Sequence, residues 1–296
     1  MMLLVNHMLW FAFSVFLVGA APAPAPASPL TSRLPAELFS HNNFQCRSAA
    51  HPNPVVLLHG LGATYYEDLN FLEAFLQLQG FCTFSITYGD YEDFPFVGGL
   101  QPISESAIQI ASFIEQVRNE TGAAKIDLVG HSEGAFQALY VPKKLGLSPI
   151  VDKIVAIAPP THGTTFAGLY NIALLGGNVT TKLVSSVLDA VGCDACSDLI
   201  TGGPAILALN DGTPIAQPGN SLTIIASRDD ELVTPTTTSF VNEPNVSNIY
   251  VQDYCAFDPV GHIGEAYDLN VWNLVLNALE SANGRKFLCV IGSPGR

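Results

Sequence analysis

Short, almost unbroken apolar runs alternate along this chain with stretches in which apolar residues recur every three or four positions. The runs cover residues 54–59, 81–88, 126–129, 154–158, 222–227 and 248–252, the first reading PVVLLH. Continuous apolar runs of this length are the signature of parallel strands buried on both faces. Between them, Phe71, Leu72, Ala74, Phe75 and Leu78 share one helical face and meet a stop at Gly80. Ile103, Ala107, Ile110, Phe113, Ile114 and Val117 do the same and end near Gly122. Phe136, Leu139 and Tyr140 open a third helix, with Pro142 or Gly146 as its stop, and Val271, Leu274, Val275, Leu276 and Leu279 form the last. This alternation predicts an α/β protein: a doubly wound, mainly parallel sheet flanked by helices and joined by right-handed crossovers. Ligands of such sheets bind beyond the carboxyl ends of the strands.

Two segments depart from the rhythm. Residues 161–220 are rich in Gly, Thr and Asn and carry one amphipathic stripe, Leu183, Val184, Val187, Leu188 and Val191. The stripe reads either as a mobile lid over an apolar pocket or as a fixed helix packed on the core. At the start, residues 8–18 are apolar and lead into Gly19 and Ala20. That run suits a secretory signal and is too short to span a bilayer, although no Lys or Arg precedes it. Residues 1–20 therefore read as a signal peptide and residues 21–40 as an Ala/Pro-rich spacer and N-terminal extension, leaving residues 41–296 as one α/β domain. No other segment reads as membrane-spanning.

Composition narrows the class. The net charge is −14 at pH 7, from 26 acidic and 12 basic side chains, which disfavours nucleic acid and anionic membrane surfaces as partners. With 48% hydrophobic residues and 13% charged ones, the chain is a well-buried globular protein. Six cysteines, Cys46, Cys82, Cys193, Cys196, Cys255 and Cys289, all follow the leader, and an even count in a secreted chain argues for disulfides of open pairing. Asn119, Asn178 and Asn245 head Asn-x-Ser/Thr triplets and are candidate glycosylation sites.

The chemistry centres on Ser132. It lies in Gly130-His131-Ser132-Glu133-Gly134, a G-x-S-x-G directly after the third apolar run and directly before a helix. A serine on a sharp strand-to-helix turn is thrust out of the fold, and small neighbours relieve the crowding there. An activated serine needs a base, and the base needs an anionic partner, in the chain order serine, acid, histidine. Only His162 and His262 follow Ser132. His262, in the glycine-flanked loop Val260-Gly261-His262-Ile263-Gly264, is the candidate base; His162 reads as a structural, hydrogen-bonding histidine. The fifth run ends in Arg228-Asp229-Asp230-Glu231, where either aspartate suits the acid, with Asp258 a distant third. An oxyanion needs preorganised N–H donors: Glu133, after the serine, and Leu61, in the His59-Gly60-Leu61-Gly62 loop after the first strand, supply them.

Taken jointly, PVVLLHGLGAT, DLVGHSEGA, IAPPTHGTT, SRDDELVTP and the late Gly-His resemble the compact secreted microbial lipases and esterases of the α/β-hydrolase superfamily, the class 2 (EstA-type) lipases. The resemblance runs from about Asn53 to about Leu279. It implies the α/β-hydrolase fold, Ser132 as nucleophile and His262 as base. Through an R-x-D-E-x-V-x-P pattern it selects Asp230 as the acid. It also implies the pairs Cys46–Cys82, Cys193–Cys196 and Cys255–Cys289. The expected protein is a secreted, extracellular serine hydrolase of carboxylic esters, acylglycerols first among them, acting with no cofactor and no metal on a lipid or ester substrate, with a lipid–water interface as its setting. Two other readings stay open: a cutinase, thioesterase, transacylase or peptidase on the same scaffold, and a noncatalytic glycoprotein that binds lipid or protein.

Overall fold

The computed structural model describes residues 41–164, 192–292 and 295, all within the unit Ala36–Arg296. Residues 1–40, read above as a signal peptide and a spacer, Asn178 and the amphipathic stripe of residues 183–191 lie outside the described residues.

Six parallel strands form one sheet in the order β2-β1-β3-β4-β5-β6. They are β1 (Val55–Leu58), β2 (Thr83–Ser85), β3 (Ile126–His131), β4 (Val151–Ile157), β5 (Ser221–Ala226) and β6 (Val246–Tyr250). Each corresponds to one apolar run. The register sets Val55 of β1 against Thr83 of β2 and Asp127 of β3, so the strand ends rise together towards one edge.

Both faces of the sheet are covered, as the two-sided strands require. Val56 and Leu58 pack with Leu128, Phe136, Ile110 and Ile114 on one side, the side of α2 (Ile103–Thr121) and α3 (Glu133–Lys144). Val55 and Leu57 face the opposite way, into a cluster with Leu72, Leu76, Leu274 and Val275 from α1 (Asn70–Leu78) and a C-terminal helix, Leu269–Leu279. Burying one such aliphatic side chain contributes roughly 1.5–3 kcal/mol, so the alternation along β1 alone anchors two helical layers.

Helix ends follow local chemistry. Gly122 takes the left-handed conformation, φ 70°, that closes α2, and its N–H donates to the Arg118 carbonyl. Asp198 Oδ2 accepts the Ile103 N–H at 2.8 Å, covering the start of the same helix. Pro142 does not stop α3: it sits inside the helix, which runs to Lys144. The helix is buried along most of its length, and that packing outweighs the one backbone hydrogen bond a proline removes.

Within residues 161–220, the described part packs on the core. Two short helices, α4 (Asp194–Leu199) and α5 (Pro204–Leu209), bury Ala195, Leu199, Ala205, Ile206 and Leu209 against the α2/α3 layer. Among the described residues the remaining α-helices are α6 (Val251–Tyr254), α7 (His262–Glu265) and α8 (Leu269–Leu279). Disulfides join Cys46 to Cys82, Cys193 to Cys196 and Cys255 to Cys289, the pairs that the resemblance implies. Among the described residues no helix is long and apolar enough to cross a membrane.

Candidate active site

Ser132 occupies a backbone conformation of φ 53°, ψ −118°, one that costs a non-glycine residue energy and persists only where the surroundings impose it. What imposes it is the junction of β3 and α3. The Ser132 N–H donates to the Ile157 carbonyl at the end of β4, at 2.9 Å. Both flanking glycines are required: a Cβ on Gly130 would lie 2.2 Å from the Gly134 carbonyl oxygen, and one on Gly134 would lie 2.1 Å from that of Leu58. The G-x-S-x-G spacing is therefore a packing requirement of the β1–β3–α3 junction, and its product is a hydroxyl presented at the carboxyl edge of the sheet.

Three loops meet there. His262 opens α7, and its Nε2 stands 2.9 Å from Ser132 Oγ. Its Nδ1 stands 2.9 Å from Asp230 Oδ2. The other Asp230 oxygen accepts the N–H groups of Leu232 and Val233 at 2.8 and 2.9 Å. Burial works to raise the Asp230 carboxyl, but His262 and these N–H donors together hold it below its ordinary value. Asp230 is thus an anion that can only accept, so the His262 Nδ1 carries a proton and Nε2 is the ring nitrogen turned to the serine hydroxyl. Glu265 lies beneath the pair, its Oε1 accepting the Ser227 N–H at 3.0 Å. Burial and the nearby Asp230 push the Glu265 carboxyl well above its ordinary value, the direction that favours its neutral form.

The other sequence candidates separate clearly. Asp229 is exposed, while Asp230 is buried. Asp258 is spent on structure: its Oδ2 accepts the Asn270 side chain at 2.6 Å and its Oδ1 the Val260 N–H at 3.1 Å. His162 is exposed, with Nδ1 2.6 Å from Asn210 Oδ1 and Nε2 3.0 Å from the Phe240 carbonyl. Glu133 is the first residue of α3, so its N–H has no acceptor within the helix. Leu61 and Ser132 line one cavity of about 220 Å³, with Leu199, Leu232, Val233 and Ile263 forming much of its apolar wall. Among the described residues no group of His, Cys, Asp or Glu side chains is placed to hold a metal ion.

The loop that carries Leu61 is braced from within. His59 is fully buried, and burial holds its ring below the ordinary range for imidazole. The neutral ring donates from Nδ1 to the Gly60 carbonyl at 2.9 Å, accepts the Tyr88 N–H on Nε2 at 3.2 Å, and stacks on Tyr88 at 4.1 Å. Sequence reasoning missed four groups around this site: Asp68, Glu265, His131 as more than a spacer in the motif, and the side chain of Glu133. The Glu133 carboxyl is completely buried, and burial drives it well above its ordinary value against the opposing influence of the Gln137 side chain. The signal for His131 is its place directly before the serine. Asp68 carries none, because it follows His59 by nine positions in an irregular loop.

The sequence pattern of the family described as Lipase (class 2) matches residues 52–263. The chain belongs to the class 2 lipase family. This class 2 lipase sequence is 23% identical over 208 residues to a triacylglycerol lipase of Burkholderia plantarii, covering 68% of this chain and 52% of that one. It is 24% identical over 128 residues to a triacylglycerol lipase of Pseudomonas fragi, covering 43% of this chain and 41% of that one. The chain thus spans about half the length of these relatives or less. Among solved structures it resembles Aspergillus fumigatus lipase B, with a TM-score of 0.59 at 18% identity over 82% of this chain and 53% of that one. It also resembles the mature form of a Bacillus licheniformis lipase, with a TM-score of 0.53 at 14% identity over 79% of this chain and 93% of that one. A dienoate hydrolase from a Rhodococcus strain matches as well, with a TM-score of 0.55 at 14% identity over 79% and 92% of the two chains. Likeness at these identities establishes the α/β-hydrolase fold and leaves the chemistry to the site.

Proposed function

We propose that this class 2 lipase family member hydrolyses carboxylic esters, acylglycerols first among them, through Ser132, His262 and Asp230. One observation carries the reading: an unbroken relay, 2.9 Å from Asp230 to His262 and 2.9 Å from His262 to Ser132, opening on an apolar cavity. In the first step His262 Nε2 takes the Ser132 proton as Oγ attacks the ester carbonyl. Asp230 stabilises the imidazolium that forms. The N–H groups of Leu61 and Glu133 stabilise the developing oxyanion, an effect of about 3 kcal/mol for each donor. His262 then returns the proton to the leaving alcohol, and an acyl group remains on Ser132. Water, deprotonated by the same ring, releases the carboxylic acid and restores the serine.

The setting proposed for this chemistry is extracellular. Residues 1–20 are read as a signal peptide, residues 21–40 as a spacer and extension, and residues 41–296 as the catalytic domain. Three disulfides favour an oxidising compartment. Asn119, at the exposed end of α2, and Asn245, in an exposed turn, are accessible for glycosylation.

The test is hydrolysis of a graded series of esters, from soluble short-chain to emulsified long-chain, by the wild type and by Ser132→Ala. Wild-type turnover with a loss of about 10⁴-fold or more in the variant, at unchanged circular dichroism, is the expected result. Undiminished turnover in Ser132→Ala overturns the reading. Thioester or peptide turnover above that of every oxygen ester moves the chemistry to another acyl enzyme on this scaffold.

A further inference from the structure

Behind the serine lies a second histidine–aspartate pair. His131, the last residue of β3, and Asp68, in the loop before α1, are 4% and 6% exposed. Asp68 Oδ2 accepts the Gly60 N–H at 2.6 Å. His131 Nδ1 stands 3.0 Å from Asp68 Oδ1, and His131 Nε2 stands 3.0 Å from the backbone carbonyl of His262. The chain of contacts therefore begins one residue before Leu61 and ends on the candidate base itself.

We propose that Asp68 and His131 form a buried ion pair that fixes the spacing between the Gly60–Leu61 loop and the His262 loop, acting as positioning residues for the serine chemistry. The inference rests on the hydrolase reading above. The first support is the hydrogen-bond inventory. A backbone carbonyl can only accept, so His131 Nε2 carries a proton. Asp68 takes the Gly60 N–H as well as facing His131 Nδ1, which favours a carboxylate that accepts from both. With both nitrogens protonated the ring is a cation, balanced by Asp68.

The second support is electrostatic. Burial alone works to lower the His131 ring, yet the Asp68 carboxylate outweighs it and the ring is held above its ordinary value. Asp68 is held below its ordinary value, despite burial, mainly by His131. The groups facing His131 are Asp68 from the loop after β1, Asp230 from the loop after β5, and His262 on α7, whose ring centroid is 5.0 Å away. The third support is steric. A Cβ on Gly60 would fall 3.3 Å from both Asp68 Oδ2 and Ser132 Cβ, so the loop is seated against the pair and the serine together. Donor loop and base loop come from opposite ends of the sequence, and the Tyr267 hydroxyl, donating to the Glu67 carbonyl, joins their flanks a second time. A slip of about 1 Å between such loops can cost on the order of 100-fold in rate.

The test joins NMR of the full chain, ¹⁵N-labelled at histidine, with kinetics of Asp68→Asn and His131→Gln. The expected spectrum shows two ring N–H signals for His131 at about pH 7, where an unperturbed imidazole is mostly neutral. The expected kinetics are a kcat loss of about 10- to 100-fold with KM changed by less than about two-fold, while the exposed neighbour variant Asp229→Asn matches the wild type. A singly protonated His131 overturns the inference, and this needs no variant to fold. Wild-type kcat in a folded Asp68→Asn overturns it equally. A wild type that cleaves no ester overturns the hydrolase reading, and the positioning role with it. An active wild type with either of the two preceding results removes this inference alone.

Discussion

Two aspartates stand side by side after β5, and only one is turned inward. Asp229 is exposed, whereas Asp230 meets His262 at 2.9 Å and takes two backbone N–H groups on its other oxygen. Asp230→Asn removes the charge that fixes the ring tautomer, and the expected kcat falls by about 10⁴-fold. Asp229→Asn is expected to stay within about two-fold, since surface changes away from special features are nearly neutral. Steady-state kinetics of the two variants decide the assignment, and equal losses would contradict it. Glu133 makes the other single-residue test. It is buried, with its carboxyl raised well above the ordinary 4.5. A raised carboxyl means the folded state holds a proton that the unfolded chain releases, so its contribution to stability declines as pH rises from 4.5 towards the folded value. Glu133→Gln removes this dependence. Its melting temperature relative to the wild type should increase with pH above 4.5 and level off in acid; a constant difference would show that the carboxyl titrates alike in the folded and the unfolded chain.

At the scale of elements, what the chain revealed depended on period. All six strands lie within or beside continuous apolar runs, and the long helices α1, α2, α3 and α8 coincide with apolar stripes. Boundaries moved where tertiary contacts decide them. The run 81–88 yields only Thr83–Ser85 as strand, because β2 pairs on one side only and its flanks turn away to other partners. The short helices α4 to α7 were not legible, since four to six residues are too few for a period to show. The cysteine pairs were open to residue reasoning alone and came from resemblance. Cys46–Cys82 spans 36 residues and ties the segment ahead of β1 to the start of β2. Loop closure of that size is worth about 3–4 kcal/mol, so Cys46→Ser with Cys82→Ser should lose that much in denaturant unfolding. Activity at low temperature should persist, because the bridge is far from the relay in the fold's layout. A loss below about 1 kcal/mol would show that the unfolded chain is little constrained by it.

Across the whole molecule, the meeting of Ser132, His262 and Asp230 was readable because they sit at loop positions fixed by strand order, and the sheet brings the ends of β1, β3 and β5 to one edge. The supports of the site were not readable in the same way. Asp68, Glu133 and Glu265 owe their roles to burial and to partners far away in sequence, which no local pattern encodes. Together these groups also set a pH profile for stability. Asp68 and Asp230 are held below 3.8, so their contribution is present above that value and is lost as pH falls through the folded values. Glu133 and Glu265, raised from 4.5, Asp127, raised from 3.8 to about 6, and His131, raised from 6.5, contribute less as pH climbs. The net charge of −14 at pH 7 adds self-repulsion in the same direction. The melting temperature should therefore pass through a maximum on the acid side of neutrality, as a fluorimetric scan would show; a rise continuing to about pH 8 would contradict this balance.

The central claim is that Ser132 alone becomes the covalent centre when the Asp230–His262 relay is intact. The most direct test is peptide mass spectrometry after labelling with a fluorophosphonate ester. The expected result is a single adduct on Ser132 in the wild type, absent from His262→Ala. An adduct on any other residue, or full ester turnover with Ser132 unlabelled, would contradict it.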